Sequence, residues 1–227
     1  MTKEKKIDTY TLVMSGLLTA IVVLLQFMGA SIRFGLFSIS LVLIPIVIGA
    51  AKCGVLAGGW LGFVFGLVVL LSGDAAPFMA VNVAGTIITV LAKGMACGFA
   101  AGLAYRGVYR YMQYRSQKKI EFFTKKGIIC SNCKDGMYGY ISRNSAYVAT
   151  LVAAIVCPVV NTGVFLLGCL TFFMDTISLW AKEANLGGNV GYYMIFVLVG
   201  VNFLLELGTN IVLNPVIVRI LNIFKKN

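Results

Sequence analysis

The chain contains no histidine, and its acidic residues number 8 against 19 lysines and arginines. Without imidazole the commonest metal ligand and general base are missing, which excludes many zinc-dependent intramembrane proteases and histidine-dependent phosphatases. No GxxxxGK[ST] run or other nucleotide loop occurs, so ATP hydrolysis would have to come from another subunit. Neither a clustered acidic motif nor a serine nucleophile in a recognisable setting is present. The 6 cysteines do not form a secreted disulfide framework. Cys53, Cys97, Cys157 and Cys169 lie in or beside apolar runs, where a thiol behaves as a small hydrophobe. Together these absences point away from an enzyme and give no reason to expect a cofactor.

What the chain has in quantity is apolar surface. Hydrophobic residues make up 59% of it, charged residues 12%, and the mean hydropathy is +0.92. Several stretches reach the roughly 20 apolar residues that cross a hydrocarbon core. The expected fold is all-α: an integral membrane protein built as a compact six-transmembrane-helix bundle, one domain over residues 1–227. Helices are expected at 10–28, 37–51, 54–71, 78–105, 146–174 and 191–222. Met1 to Asp8 is charged and no small-residue cleavage site follows, so the first apolar run is expected to be a retained helix.

Charge sets the expected orientation. Lys3, Lys5, Lys6, Lys52, the basic residues of a loop at about 106–145, and Lys225 with Lys226 fall on one side. The other side holds only Arg33 and Lys182, beside Asp74, Asp175 and Glu183. Lysine and arginine accumulate in cytoplasmic segments, so both termini are expected in the cytoplasm of a multi-pass cell-membrane protein. The net charge of +11 is thus mostly a topology signal, and with no folded basic domain a nucleic-acid partner is not expected.

Two ionisable residues sit inside apolar runs, Lys93 and Glu206. A charge near a bilayer centre costs about 3 kcal/mol on insertion scales, so it normally faces protein or a polar cavity. Asn82, Thr86, Thr89 and Lys93 share one helical face, and Asn202, Glu206, Thr209 and Asn210 share another. With Asn161, which follows Pro158 by about one turn, these stripes predict a pocket lined by Asn82, Thr86, Lys93, Asn161, Asn202 and Glu206. Pro158 removes a backbone donor, so a kink or unwound turn is expected there, either as part of a binding site or as plain helix mechanics. Lys93 suits a ligand carboxylate, unless Glu206 neutralises it.

Glycine describes the packing. Gly54, Gly58, Gly62 and Gly66 recur every fourth residue, as do Gly94, Gly98 and Gly102, which predicts closely approaching backbones. A smaller patch, Ser15, Gly16, Thr19 and Ala20, fits either a core contact or a docking face for another membrane protein. Cys130 and Cys133 form an isolated CxxC, half of a zinc knuckle without a second pair of ligands, or a reduced thiol pair in a cytosolic loop.

Four segments carry a family resemblance: LVLIPIVIGA at Leu41–Ala50, GVLAGGWLGFVFGL at Gly54–Leu67, PVVNTGVF at Pro158–Phe165 and NFLLELGTNIVLNPVIVRI at Asn202–Ile220. Together they resemble the substrate-binding S component of an energy-coupling factor (ECF) vitamin transporter, near the group that includes pantothenate binders. The basic segment with the CxxC lies outside that pattern. The resemblance implies a six-helix protein that captures a vitamin, with pantothenate the best guess. It would hand the vitamin to a scaffold transmembrane subunit and two ATPase subunits. It also implies scaffold docking through small residues of the first helix, where Ser15-x-x-x-Thr19 and Gly16-x-x-x-Ala20 stand in place of alanine-x-x-x-alanine. The rival expectation is a self-sufficient ion-coupled secondary transporter, against which stand the small helix count and the absence of an inverted repeat.

Overall fold

The structure, a computed structural model, describes residues 9–31, 33–34, 37–38, 41–126, 134–184 and 189–223. Cys130 and Cys133 lie outside the described residues. The architecture is helical apart from one small ladder. Helix α1 (Thr9–Ser31) leads to strands β1 (Arg33–Phe34) and β2 (Phe37–Ser38), which pair antiparallel with Arg33 opposite Ser38. Then come α2 (Leu43–Lys52), α3 (Val55–Leu71), the single-turn α4 (Ala76–Met79), α5 (Val83–Lys125) and α6 (Lys134–Phe172). The chain closes with α7 (Met174–Glu183), α8 (Val190–Tyr192), a π-helical stretch (Tyr193–Gly200), α9 (Val201–Val212) and α10 (Asn214–Ile223).

Three of these helices are long and apolar enough to cross a membrane: α1, α5 and α6. The Val190–Gly200 and Asn202–Val212 pair passes the same test as one span bent by 41°. Helices α2 and α3 are apolar but shorter, at 10 and 17 residues. The segment expected at 37–51 is therefore helical only from Leu43, too short at about 15 Å to cross a core of about 30 Å unaided.

The expected fourth helix, 78–105, is corrected at both ends. Its start is Val83, because Asn82 has extended backbone and its side chain accepts a hydrogen bond from the Gly85 amide at 2.9 Å, an N-cap. Its end is Lys125, so the first half of the basic segment expected as a loop at about 106–145 is a continuation of α5, and α6 already begins at Lys134. Charge at helical spacing on an exposed surface is as compatible with helix as with loop.

Helices α3 and α5 meet backbone to backbone. A Cβ on Gly58 would sit 2.6 Å from the Gly98 carbonyl oxygen, and one on Gly66 2.9 Å from that of Val90. One on Gly62 would overlap the Gly94 carbonyl. At the next level Gly102 abuts Val55. In lipid, where apolar side chains gain nothing by leaving the solvent, this closeness supplies the dispersion contact that holds helices together. Gly54 does not belong to the stripe: with φ at +96° it makes the turn before α3, a conformation that favours glycine.

Buried apolar side chains fall into two clusters. The larger joins α1, α2, α3, α5, α6 and α10 around Leu43, Ile46, Leu61, Phe65 and Ile217. The smaller joins the end of α6 to α7 and the π-helical stretch, around Phe173, Ile177, Met194 and Leu198. Helix α6 runs unbroken through Pro158, so the unwound turn expected there does not form. The interruptions come later, at the π-helical stretch and at Leu213, just before Pro215, whose missing N–H prevents α9 from simply continuing.

Candidate functional site

Between the two clusters lies a cavity of about 130 Å³, measured as space open to the centre of a water-sized sphere. It sits at the end of the bundle where α1 and α3 finish and α5 begins, away from the basic extension of α5. Phe65, Val69, Phe78, Phe165 and Phe173 supply apolar wall. Phe78 stands edge-on to Phe165, Phe173 and Trp180, with ring centroids 5.4, 5.2 and 5.7 Å away, and this aromatic cluster ties α4 to α6 and α7.

The polar lining comes from five parts of the chain. Helix α5 contributes Thr86, Thr89 and Lys93, and α6 contributes Asn161 and Thr162. Asn202 and Glu206 come from α9, Gln26 from α1, and Asp74 from the turn before α4. The π-helical stretch brings Leu198 and Val199 to the wall immediately before Asn202. Its wider turn carries the chain into α9 with Asn202 and Glu206 on the cavity side, a use of π geometry common at functional sites.

Lys93 and Glu206 line the same cavity but do not pair directly. Among the described residues no ion pair joins them. Instead the Lys93 Nζ lies over the rings of Phe65 and Phe165, 5.9 and 5.1 Å from their centroids. Such a contact contributes about 0.5–2 kcal/mol and only partly offsets removal from water. Glu206 is 4% exposed; its Oε1 accepts from Asn202 Nδ2 at 3.3 Å, and its Oε2 has no partner. Asn161 Oδ1 and Thr89 Oγ1 are also buried without partners. Three partnerless oxygens gather around this one cavity; the other buried partnerless side-chain atoms among the described residues belong to Ser145, Asn210 and Asn214, outside it. The three oxygens describe a site shaped to receive hydrogen-bond donors beside a cation.

Of the six pocket residues expected from sequence, Thr86, Lys93, Asn161, Asn202 and Glu206 line the cavity and Asn82 does not. Asn82 caps α5 instead, and its backbone carbonyl accepts from Thr86 Oγ1 at 2.7 Å. Asn210 and Thr209, from the same stripe as Glu206, are outside the lining too; Thr209 Oγ1 donates back to the Leu205 carbonyl at 2.8 Å. Gln26 and Asp74 were not expected. Gln26 Nε2 donates to Asp74 Oδ2 at 2.7 Å, joining α1 to the turn after α3. Gln26 is the lone amide in the apolar body of α1, a signal of the same kind that singled out Lys93.

On α1, Gly16 and Ala20 are exposed and Ser15 and Thr19 half-buried. A Cβ on Gly16 would meet nothing within 4 Å, so Gly16 is not packed against the described residues, whereas Ser15 is hydrogen-bonded to the Cys53 side chain. Large side chains share that surface, among them Leu12, Val13 and Leu17.

Comparison with protein families finds one model, described as "ECF transporter, substrate-specific component", matching residues 10–218. No curated protein and no solved structure matches the chain.

Proposed function

The chain belongs to the substrate-specific component family of ECF transporters, and from that premise we propose that the cavity is its capture site for a water-soluble vitamin, with pantothenate the best candidate. Members of this family are transporter subunits rather than enzymes, and the match implies a small-molecule substrate and an ECF module as partners. It lends nothing to the rival reading as a self-sufficient carrier.

The observation that carries the proposal is the set of partnerless acceptors, Glu206 Oε2 and Asn161 Oδ1, facing one cavity with the Lys93 ammonium. A ligand with a carboxylate for Lys93 and hydroxyl or amide N–H groups for the acceptors would pair the open groups of the cavity. Pantothenate has that combination, and the phenylalanine walls accommodate an aliphatic body between its polar ends.

The remaining parts of the reading follow the same premise. Six membrane segments are formed by α1, α2, α3, α5, α6 and the broken α8–α10 segment, of which α2 crosses only part of the hydrocarbon core, with both termini cytoplasmic by the lysine and arginine distribution, in the cell membrane. The cavity then opens outward. Ser15, Gly16, Thr19 and Ala20 form the face on which the scaffold subunit docks, and two ATPase subunits drive release.

Thermal unfolding of the purified protein against a vitamin panel tests the substrate. A ligand at 100 times its Kd stabilises by about 2.7 kcal/mol, a shift of several degrees. Pantothenate is expected to give it. A panel in which another vitamin does so corrects the substrate, and one in which none does refutes capture.

A further inference from the structure

Helix α5 is far longer than a membrane crossing requires. Its 43 residues extend about 65 Å, twice a hydrocarbon core of about 30 Å. Its last glycine contact with α3 is at Gly102, opposite Val55, close to Lys52 at the end of α2. Arg115 to Phe123 therefore lie about 20–30 Å beyond that level along the helix axis.

This distal portion has two unlike faces. Ile120 is 2% exposed. On the opposite side Tyr111, Tyr114, Arg115, Lys118 and Phe122 fall within an arc of about 100° at 100° per residue. Tyr111, Tyr114 and Phe122 are 62%, 58% and 54% exposed, and these residues line one surface groove with Lys119 and Phe123. The Lys118 Nζ lies 4.8 Å from the Tyr114 ring centroid, which places cation and aromatic in one patch. Across 106–126 the only acid is Glu121. Exposed tyrosines beside an arginine are the composition of interface hot spots, and Lys118 and Lys119 add positive charge at their rim.

Reach decides between the two anionic surfaces available. Headgroups extend only about 5–8 Å beyond the hydrocarbon on each side. Even at a tilt of 40°, the upper end for membrane helices, Arg115 to Phe123 stand about 15–24 Å from the level of Gly102, so with the hydrocarbon edge at that level, beside Lys52, most of the patch lies beyond the headgroups. We propose that the end of α5 is a docking arm for an acidic protein surface on the ATPase part of the ECF module, a contact separate from the small-residue face of α1. This rests on the module assignment above. Arg115, Lys118 and Lys119 supply the charge complementarity, and Tyr114 and Phe122 the apolar contact.

The test uses the full chain expressed with its module. A benzophenone amino acid at Tyr114, irradiated in cells, is expected to crosslink to an acidic segment of an ATPase subunit. The triple variant R115E/K118E/K119E should lower recovery of the ATPase subunits with the purified protein about tenfold and make what remains less sensitive to salt. Vitamin binding by the isolated variant should be unchanged, because none of these residues lines the cavity. Crosslinks to lipid, or to a protein outside the module, overturn the arm, as does ATPase recovery equal to wild type. If the wild-type chain itself recovers no module, the family-based function fails along with the arm. If wild type and the triple variant assemble equally, only the arm fails.

Discussion

Helix α5 presents two contacts built in opposite ways. Toward α3, Gly94 and Gly98 let backbone meet backbone, with no polar side chain at the seam. Toward α6 and α9, one helical step away, Thr86, Thr89 and Lys93 line a cavity in which Glu206 Oε2, Asn161 Oδ1 and Thr89 Oγ1 have no partners. The first contact is complete within the chain, and any added atom must displace a carbonyl. The second leaves those oxygens open, which is where the proposed ligand enters. A rigid seam behind a hollow wall keeps Thr86, Thr89 and Lys93 in register whether or not the cavity is filled, so ligand binding is expected to move α4 and the π-helical stretch rather than the α3–α5 pair.

Substitutions separate these two regions, and the largest effect is expected at the seam. Gly62→Leu drives a side chain into the Gly94 carbonyl and should destabilise the protein by about 3 kcal/mol or more, read as loss of monodisperse protein in size-exclusion chromatography. Full recovery of folded Gly62→Leu protein would dissolve the contrast. In the cavity, Lys93→Met removes the counter-charge proposed for a ligand carboxylate. Affinity should fall about 100-fold, about 2.7 kcal/mol, while thermal stability without ligand holds or rises, because a costly buried charge has gone. Glu206→Gln keeps an acceptor for Asn202 but replaces the partnerless carboxylate oxygen, and calorimetry should show affinity down about tenfold, about 1.4 kcal/mol. The smallest effect is at Asn82, where alanine removes only a helix cap. Stability should drop by about 1 kcal/mol in chemical denaturation, with affinity within about twofold of wild type.

The seam was legible in the sequence and the cavity only in part, for a physical reason. Glycines four apart declare a close contact wherever their partner lies, so Gly58, Gly62, Gly66, Gly94, Gly98 and Gly102 could be read without knowing which helices met. Buried polar residues on one helical face say that a polar environment exists, not which members reach it. Asn82 and Asn202 look alike in sequence; one caps a helix and the other touches Glu206. The position of Asn82 just before an apolar run carried the capping signal, but helical spacing to Thr86 and Thr89 outweighed it. Gln26 and Asp74 were out of reach of spacing altogether, since their bond joins positions 48 apart. The basic segment expected as a loop at about 106–145 is helical up to Lys125 and again from Lys134, because exposed helix has the same charged composition as a loop.

On the proposed function, a small ligand held through Lys93 completes the cavity. Native mass spectrometry of the purified full chain with the vitamin panel, wild type beside Lys93→Met, tests it most directly. One vitamin, pantothenate first among them, is expected to stay on the wild-type protein and to be lost from the folded variant. Retention of no vitamin by wild type, or equal retention by both proteins, would contradict it.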